Sequence, residues 1–236
     1  MKKIIIIPAY NEEDSILKTY NQIVNYNKKN KTNYNVIVIN DGSIDKTEEI
    51  LIKNNVNHIK LINNLGIGGA VQTGYKYAYD NNYDVAVQFD GDGQHNIKYV
   101  ENIIKPIEEG QANMVIGSRF IEDIETFKSS TARRAGIKLI SFFIKLVTGK
   151  KIHDTTSGMR AVDKKIISEF ANSYPVEYPE PVSTTLMLKK GFSISEVSVE
   201  MNERESGVSS IRTWKNIYYM INVILSILVV GVGRKK

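Results

Sequence analysis

Two carboxylates one residue apart, Asp90-Gly91-Asp92, follow the apolar run Val85–Phe89. On a turn, with glycine between them, both side chains can reach one hard cation. Oxygen ligands suit Mg2+ or Mn2+, which keep positions open for further oxygens such as those of a diphosphate. Gln94 or His95 can complete the shell. Taken alone, the triplet reads equally well as an acidic Asp-Gly turn. Asp41, in Asn40-Asp41-Gly42-Ser43, follows a second apolar run. A carboxylate there can accept from a nucleobase N–H or a ribose hydroxyl, or simply close an Asx turn. Arg119, Arg133, Arg134, Arg160 and Arg204 carry guanidinium groups suited to phosphate. Arg204 has the stronger case, with Gly207, Ser209 and Ser210 nearby as small hydrogen-bonding partners. His58 and His153 read as structural or solvent-facing, because the histidines show neither metal-ligand spacing nor a Ser-His-Asp order.

These residues need a scaffold, and the N-terminal half supplies one. Ile4–Ile7, Val36–Ile39, His58–Ile62, Val85–Phe89 and Met114–Ile116 read as buried strands. Between them, Ile16, Leu17, Tyr20, Ile23 and Val24, and then Val71, Tyr75, Ala78 and Tyr79, follow helical spacing. Asp45 can cap the helix after the second strand. Strand–helix alternation predicts an α/β fold, a mostly parallel sheet with helices on both faces. Ligands of such sheets bind beyond the carboxyl ends of the strands. Pro8–Glu13, Asn40–Ser43 and Asp90–His95 all fall there. The glycine-rich Asn64–Ala70 lacks the dinucleotide spacing and reads as tight helix–sheet packing rather than a phosphate cradle. Later in the chain, Ala135–Val147 is an apolar helix, Thr155–Arg160 a small-residue loop, Tyr178-Pro179-Glu180-Pro181 an extended segment and Ser193–Val199 a strand.

Composition narrows the function. The 236 residues suffice for one well-buried domain with an appendage. With no cysteine, disulfides, thiolate metal sites and cysteine nucleophiles are excluded. The net charge is +5, and the stretch from Met201 onward carries +4 of it. That basic end adjoins Ile217–Gly233, 17 residues without a charge, at the lower limit for spanning a bilayer. Trp214, Tyr218 and Tyr219 flank one end and Arg234-Lys235-Lys236 the other. The pattern predicts a C-terminal amphipathic or hydrophobic helix over 211–236 that contacts a membrane surface, with 1–210 as the catalytic body. A small integral membrane partner or a second copy is a further candidate for that helix. Nucleic acid is not an expected partner, because the basic residues are not interleaved with stacking aromatics. The short N-terminal apolar run ends at Pro8 without a cleavage site, which places the body on the cytoplasmic face.

Read in order, six stretches resemble the family 2 glycosyltransferases of the GT-A (Rossmann-like) fold. They are Ile7–Glu13, Asn40–Thr47, Asn64–Ala70, Asp90–His95, Gly117-Ser118-Arg119 and Thr156–Arg160. Within that family the chain looks most like the polyprenyl- and dolichyl-phosphate sugar transferases. The resemblance implies that Pro8, Ala9, Tyr10, Glu12 and Asp41 surround the nucleotide of a nucleotide-sugar donor. It implies that Asp90, Asp92 and Gln94 bind Mg2+ or Mn2+, and that Arg119, Arg133 and Arg204 hold phosphates of donor or acceptor. Asp92, Asp154 and Arg204 are then the catalytic candidates, Asp154 opening a loop on the acceptor side. The expected donor is UDP-linked glucose or N-acetylglucosamine rather than GDP-mannose, and two departures from the subgroup's pattern count against a mannose donor and against a dolichol-type acceptor site. Gly207-Val208-Ser209-Ser210 lacks an expected lysine, and Ile67 stands where lysine is frequent.

The implied reaction is inverting transfer to a polyprenyl phosphate. A lipid phosphate is already ionised at neutral pH and needs little help from a base. A saccharide hydroxyl acceptor would need one, and Asp154, Glu177 and Glu180 are the carboxylates on offer. A nucleotidyltransferase would show a Gly- and Arg-rich loop at the first strand, which Pro8–Glu13 is not. A non-catalytic nucleotide-sugar-binding subunit would have no need of the Asp90/Asp92 pair.

Overall fold

The computed structural model describes residues 1–121, 131–202 and 213–232. Seven strands form one sheet in the order β3-β2-β1-β4-β6-β5-β7. They are β1 (Lys3–Ala9), β2 (Tyr34–Asn40), β3 (His58–Lys60), β4 (Val85–Gln88), β5 (Met114–Ser118), β6 (Arg160–Asp163) and β7 (Ile194–Ser198). Every pairing is parallel except those of β6 with β4 and β5. Eight helices accompany them: α1 (Ile16–Asn30), α2 (Thr47–Lys53), α3 (Gly66–Asp80), α4 (Val100–Glu108), α5 (Thr131–Thr148), α6 (Lys164–Asn172), α7 (Pro179–Lys189) and α8 (Thr213–Val232).

The period of a strand divides the core in two. Ile4 and Ile6 of β1 point into a cluster with Tyr75 of α3, Ile140 of α5, Phe170 of α6 and Val223 of α8. Ile5 and Ile7 point the other way, to Ile16 and Ile23 of α1, Leu51 of α2 and Ile103 of α4. Both faces are therefore covered, which is why β1 is a continuous isoleucine run rather than an alternating one. The chain runs β1, β2, β3 outward along one side of β1 and returns through α3 to β4 on the other. The sheet thus has its switch point between β1 and β4, the place where sheets of this kind bind ligands beyond the strand ends.

Three expectations are corrected. Arg160 does not close a loop but begins β6, which runs antiparallel and pairs Gln88 with Arg160. Four residues with one charge at each end give too short a pattern to separate from a turn. Tyr178-Pro179-Glu180-Pro181 is not extended: Tyr178 turns left-handed at φ 51°, and α7 starts at Pro179. Proline in a first helical turn has its φ already set, and its missing N–H has no intrahelical partner to lose. The glycine-rich turn is packed as expected. A Cβ on Gly68 would lie 2.4 Å from the Pro175 carbonyl oxygen, and one on Gly74 2.2 Å from Ile6 Cγ2. Asp45 is not the cap of α2: the N-cap is Lys46, and Asp45 Oδ1, one residue earlier, accepts from the Thr47 N–H at 2.9 Å.

The C-terminal helix is present as α8. One side of it is buried through Val223 and Ile227, against α5 and α7. Among the described residues, no helix is long and apolar enough to cross a membrane.

Candidate active site

The end of β1 forms one wall of the crevice. Pro8 and Ala9 are buried in the strand, Tyr10 stands half-exposed at its tip, and Asn11 takes a left-handed φ of 55°. That turn is stitched to the segment after β2. Asn11 N–H donates to Ser43 Oγ (3.0 Å), Asn11 Oδ1 accepts from Ile44 N–H (2.9 Å), and Glu12 N–H donates to Thr47 Oγ1 (2.9 Å). Asp41 hangs between the two. Its Oδ1 accepts from Leu65 N–H at 2.7 Å, at the start of the glycine-rich turn. Burial raises its pKa, and the backbone N–H groups of Leu65 and Gly66 partly offset the rise.

Asp90 and Asp92 stand on the opposite wall, just past β4. Gly91 brings the two walls together: its carbonyl accepts from Thr19 Oγ1 at 3.1 Å, and a Cβ there would lie 3.1 Å from the Pro8 carbonyl oxygen. Asp92 is buried, and its Oδ1 accepts from Gln94 N–H at 3.0 Å. Asp90 Oδ1 is buried without a hydrogen-bond partner in the protein. An ionised oxygen in that state calls for a counter-charge, and a divalent cation supplies one. The floor beneath it is Gly158, where a Cβ would lie 2.5 Å from Asp90 Oδ2. Among the described residues no group of three or more His, Asp or Glu side chains forms a closed metal site. Two carboxylates beside an open crevice fit a cation that shares its shell with a phosphate-bearing ligand.

His95, the alternative ligand to Gln94, is turned inward. It is 2% exposed and packs edge-on against Phe89. Its Nδ1 accepts from Asp90 N–H at 2.9 Å, so in the neutral ring the proton sits on Nε2, which lies 3.5 Å from Asp90 Oδ2. His95 therefore braces the Asp90 backbone and carboxylate from behind. The same loop is pinned from its other side by Asn202, whose N–H donates to the Gln94 carbonyl at 2.9 Å.

Arg119 and Asp154 meet as a buried pair. Arg119 Nε and Nη2 donate to Asp154 Oδ2 and Oδ1 at 2.6 and 2.8 Å, and Nη2 also donates to Thr156 Oγ1. Asp154 is fully buried and is held by Glu196 of β7, whose Oε1 accepts from Asp154 N–H and Oε2 from His153 N–H, each at 2.8 Å. This arrangement aims Arg119, at the end of β5, from a fixed base. Arg160, fully buried under the crevice, donates through Nη1 to the Glu180 carbonyl, Ser183 Oγ and Thr184 Oγ1. Burial raises the Glu180 carboxyl, the Arg160 charge opposes that rise, and Asp90 adds to it. Arg133 lies in the first turn of α5 with its side chain outside the described set, and Arg204 lies outside the described residues.

Pro8, Ala9, Tyr10 and Glu12 thus fall at the end of β1, Asp41 after β2, and Asp90, Asp92 and Gln94 after β4, on neighbouring strands of the sheet, with the Arg119–Asp154 pair at the end of β5. The supporting roles of His95, Gly158 and Glu196 were not foreseen. In the sequence His95 stands only as an alternative ligand to Gln94, and Gly158 only as the glycine of a small-residue loop.

A family model described as "Glycosyl transferase family 2" matches residues 4–170. The UDP-N-acetylglucosamine–dolichyl-phosphate N-acetylglucosaminyltransferase of Methanococcus voltae is 32% identical over 215 residues, covering 83% of this chain and 84% of that protein. The polyprenol monophosphomannose synthase of Mycolicibacterium smegmatis is 27% identical over 218 residues, covering 88% and 80%. Among solved structures, the glucosyl-3-phosphoglycerate synthase of Mycobacterium tuberculosis in complex with Mn2+, UDP-glucose and phosphoglyceric acid is similar at a TM-score of 0.65 and 16% identity, covering 98% of this chain and 79% of that one. At that identity the likeness speaks for the fold alone. With its switch-point crevice, its acidic pair after β4 and this family match, the chain belongs to glycosyl transferase family 2 and has the GT-A fold.

Proposed function

We propose that this chain is an inverting hexosyl- or N-acetylhexosaminyltransferase that moves the sugar of a UDP-linked donor onto a polyprenyl phosphate in cell-envelope glycan synthesis. The observation that carries the reading is the buried, unpartnered Asp90 Oδ1 beside buried Asp92 at the β1/β4 switch point. The names of the M. voltae and M. smegmatis relatives support a lipid-phosphate acceptor.

Pro8, Ala9, Tyr10 and Glu12 frame the nucleotide, and Asp41 accepts from its base or ribose. Asp90, Asp92 and Gln94 hold Mg2+ or Mn2+, which when bound offsets the negative charge that builds on the diphosphate. Arg119, aimed by Asp154, holds a phosphate oxygen, and Arg133 and Arg204 take the remaining phosphate charge. An oxygen of the lipid phosphate forms the new bond to C1 as the bond from C1 to the diphosphate breaks, and its electrons leave with the nucleoside diphosphate. The attacking oxygen is already ionised, so no residue has to remove a proton. The segment 211–236 seats the catalytic body on the cytoplasmic face of the membrane. A saccharide hydroxyl acceptor is the second reading. It is favoured by one feature, the Glu180 carboxyl, whose raised pKa beside Asp90 suits a proton acceptor.

Incubation with membranes, polyprenyl phosphate and a panel of labelled nucleotide sugars separates the two. The proposal expects donor-dependent label in the lipid fraction. Label confined to free saccharide would reject the lipid-phosphate acceptor and move the role of base to Glu180.

A further inference from the structure

The side of the sheet that faces α3 and α7 holds a polar nest inside an apolar layer. Gln88 of β4 and Arg160 of β6 stand directly opposite each other in the strand register, so their side chains share a face. They are 0% and 1% exposed. Tyr75 of α3 lies beside them, its hydroxyl within the fields of the Arg160 and Glu180 charges. Both amide atoms of Gln88, the Tyr75 hydroxyl and Arg160 Nη2 are buried without a hydrogen-bond partner in the protein. Folded interiors pair nearly all such atoms, so four at one spot need a reason.

Arg160 is the centre of the nest, and its other bonds give that reason. Nε donates to the Ser157 carbonyl at 2.7 Å. Nη1 donates to the Glu180 carbonyl at 2.9 Å and to Ser183 Oγ and Thr184 Oγ1, both at 3.1 Å. The two hydroxyls send their own protons to the Glu180 carbonyl, at 3.2 and 2.7 Å, and so turn lone pairs toward the guanidinium. The helix start they belong to is stiff. Pro179 and Pro181 fix its backbone, and Thr185 Oγ1 donates to the Pro181 carbonyl. One planar fork thus ties the 157–159 segment to a rigid turn.

That segment is the floor of the acidic pair. Gly158 sits so close to Asp90 that a Cβ would lie 2.5 Å from Oδ2 and 2.9 Å from Oδ1. On the Met159 side the floor is held by the sheet, the Met159 carbonyl accepting from Gly117 N–H at 2.8 Å. On the Ser157 side the tether is Arg160. A small shift of the Ser157 carbonyl therefore reaches Gly158 and, through it, the carboxylate. Metal ligands depend on such outer support, because a cation binds tightly only to oxygens already in place. An apolar side chain at position 160 would fill the layer, and such replacements of buried charge are often neutral or stabilising. What it could not supply is direction.

We propose that Arg160 is a positioning residue of the metal site: by tethering the Ser157 carbonyl to the first turn of α7, it seats Gly158 against Asp90 and fixes how that carboxylate meets the cation. The proposal rests on the reading of Asp90 and Asp92 as metal ligands.

The test is Mn2+ affinity by electron paramagnetic resonance on donor-free protein, which involves no turnover. Arg160→Met removes a positive charge from near Asp90. Electrostatics alone would then tighten Mn2+ binding, and an arginine that only holds the fold would leave the affinity of folded chains unchanged. The positioning role predicts the opposite sign, a loss of about tenfold or more. Arg160→Lys keeps the charge but cannot span both ends of the tether, and should lose affinity by a similar factor. Lys189→Met removes a cation from the far end of α7 and should leave the affinity as it was. Circular dichroism checks each fold. Should Arg160→Met fail to fold, Ser183→Ala with Thr184→Val removes two of the three Nη1 acceptors and leaves Arg160 in place; Mn2+ affinity should still fall severalfold. Unchanged or tighter binding in folded Arg160→Met, or in the double variant, would overturn the proposal. An equal loss in Lys189→Met would trace the effect to α7 as a whole and overturn it too. A wild type that binds no Mn2+ rejects the metal reading along with it, whereas wild-type binding that Arg160→Met leaves intact rejects the positioning role alone.

Discussion

Gly158 lies where a single methyl group would touch both oxygens of Asp90, at 2.5 and 2.9 Å. Gly158→Ala is expected to turn that carboxylate aside, lowering Mn2+ affinity and sugar transfer at least tenfold while the melting temperature moves by only a few degrees. Unchanged Mn2+ affinity by titration calorimetry would mean that Asp90 is not a ligand. Asp41 offers a test by pH. Its pKa in the fold is raised above 3.8 by burial, so its ionisation costs stability. That cost is absent below pH 3.8 and appears as pH rises through the higher folded value. Asp41→Asn keeps an acceptor for Leu65 N–H and removes the charge. It should therefore gain stability relative to the wild type as pH rises above 3.8, read from melting curves across a pH series. Donor binding should fall in the same variant. A stability difference that does not change with pH would show that Asp41 is not held above its ordinary range.

The elements matter because they fix side chains that flexible arginines alone could not aim. Glu196 of β7 clamps the 153–154 backbone, and Asp154 clamps Arg119 just past the end of β5. Removing one partner of a buried ion pair costs about 3–5 kcal/mol. Asp154→Ala should therefore lower the melting temperature by roughly 10 °C, and Asp154→Leu with Arg119→Met should recover most of it. An Asp154→Ala chain that melts like the wild type yet transfers no sugar would make Asp154 directly catalytic. The strands that carry the crevice were legible because isoleucine and valine runs in a two-faced sheet leave a plain signal, as at Ile4–Ile7. β6 was not, since its identity as a strand comes from pairing with β4 and β5 rather than from its four residues. The start of α7 was misread because proline both ends extended segments and begins helices, and only the packing of the following turn decides between them. The spacing of Asp90 and Asp92 marks them as a candidate pair, and their place past the end of β4 agrees with the predicted strand end. The brace of His95 and the floor of Gly158 could not be read that way, because each depends on a contact between separate loops or within a turn.

At the scale of the whole molecule, Asp90 and Asp92 lie at the switch point between β1 and β4, and α5, α7 and α8 run parallel to one another. The claim at the centre of this arrangement is that Asp90 and Asp92 seat a divalent cation together with the diphosphate of the donor. The most direct measurement is a Mn2+ titration followed by electron paramagnetic resonance, with and without UDP, on the wild type and Asp92→Ala. The account predicts saturable Mn2+ binding that UDP tightens in the wild type, and neither effect in a variant that is folded by circular dichroism. Mn2+ binding in Asp92→Ala equal to that of the wild type, with the same response to UDP, would contradict it.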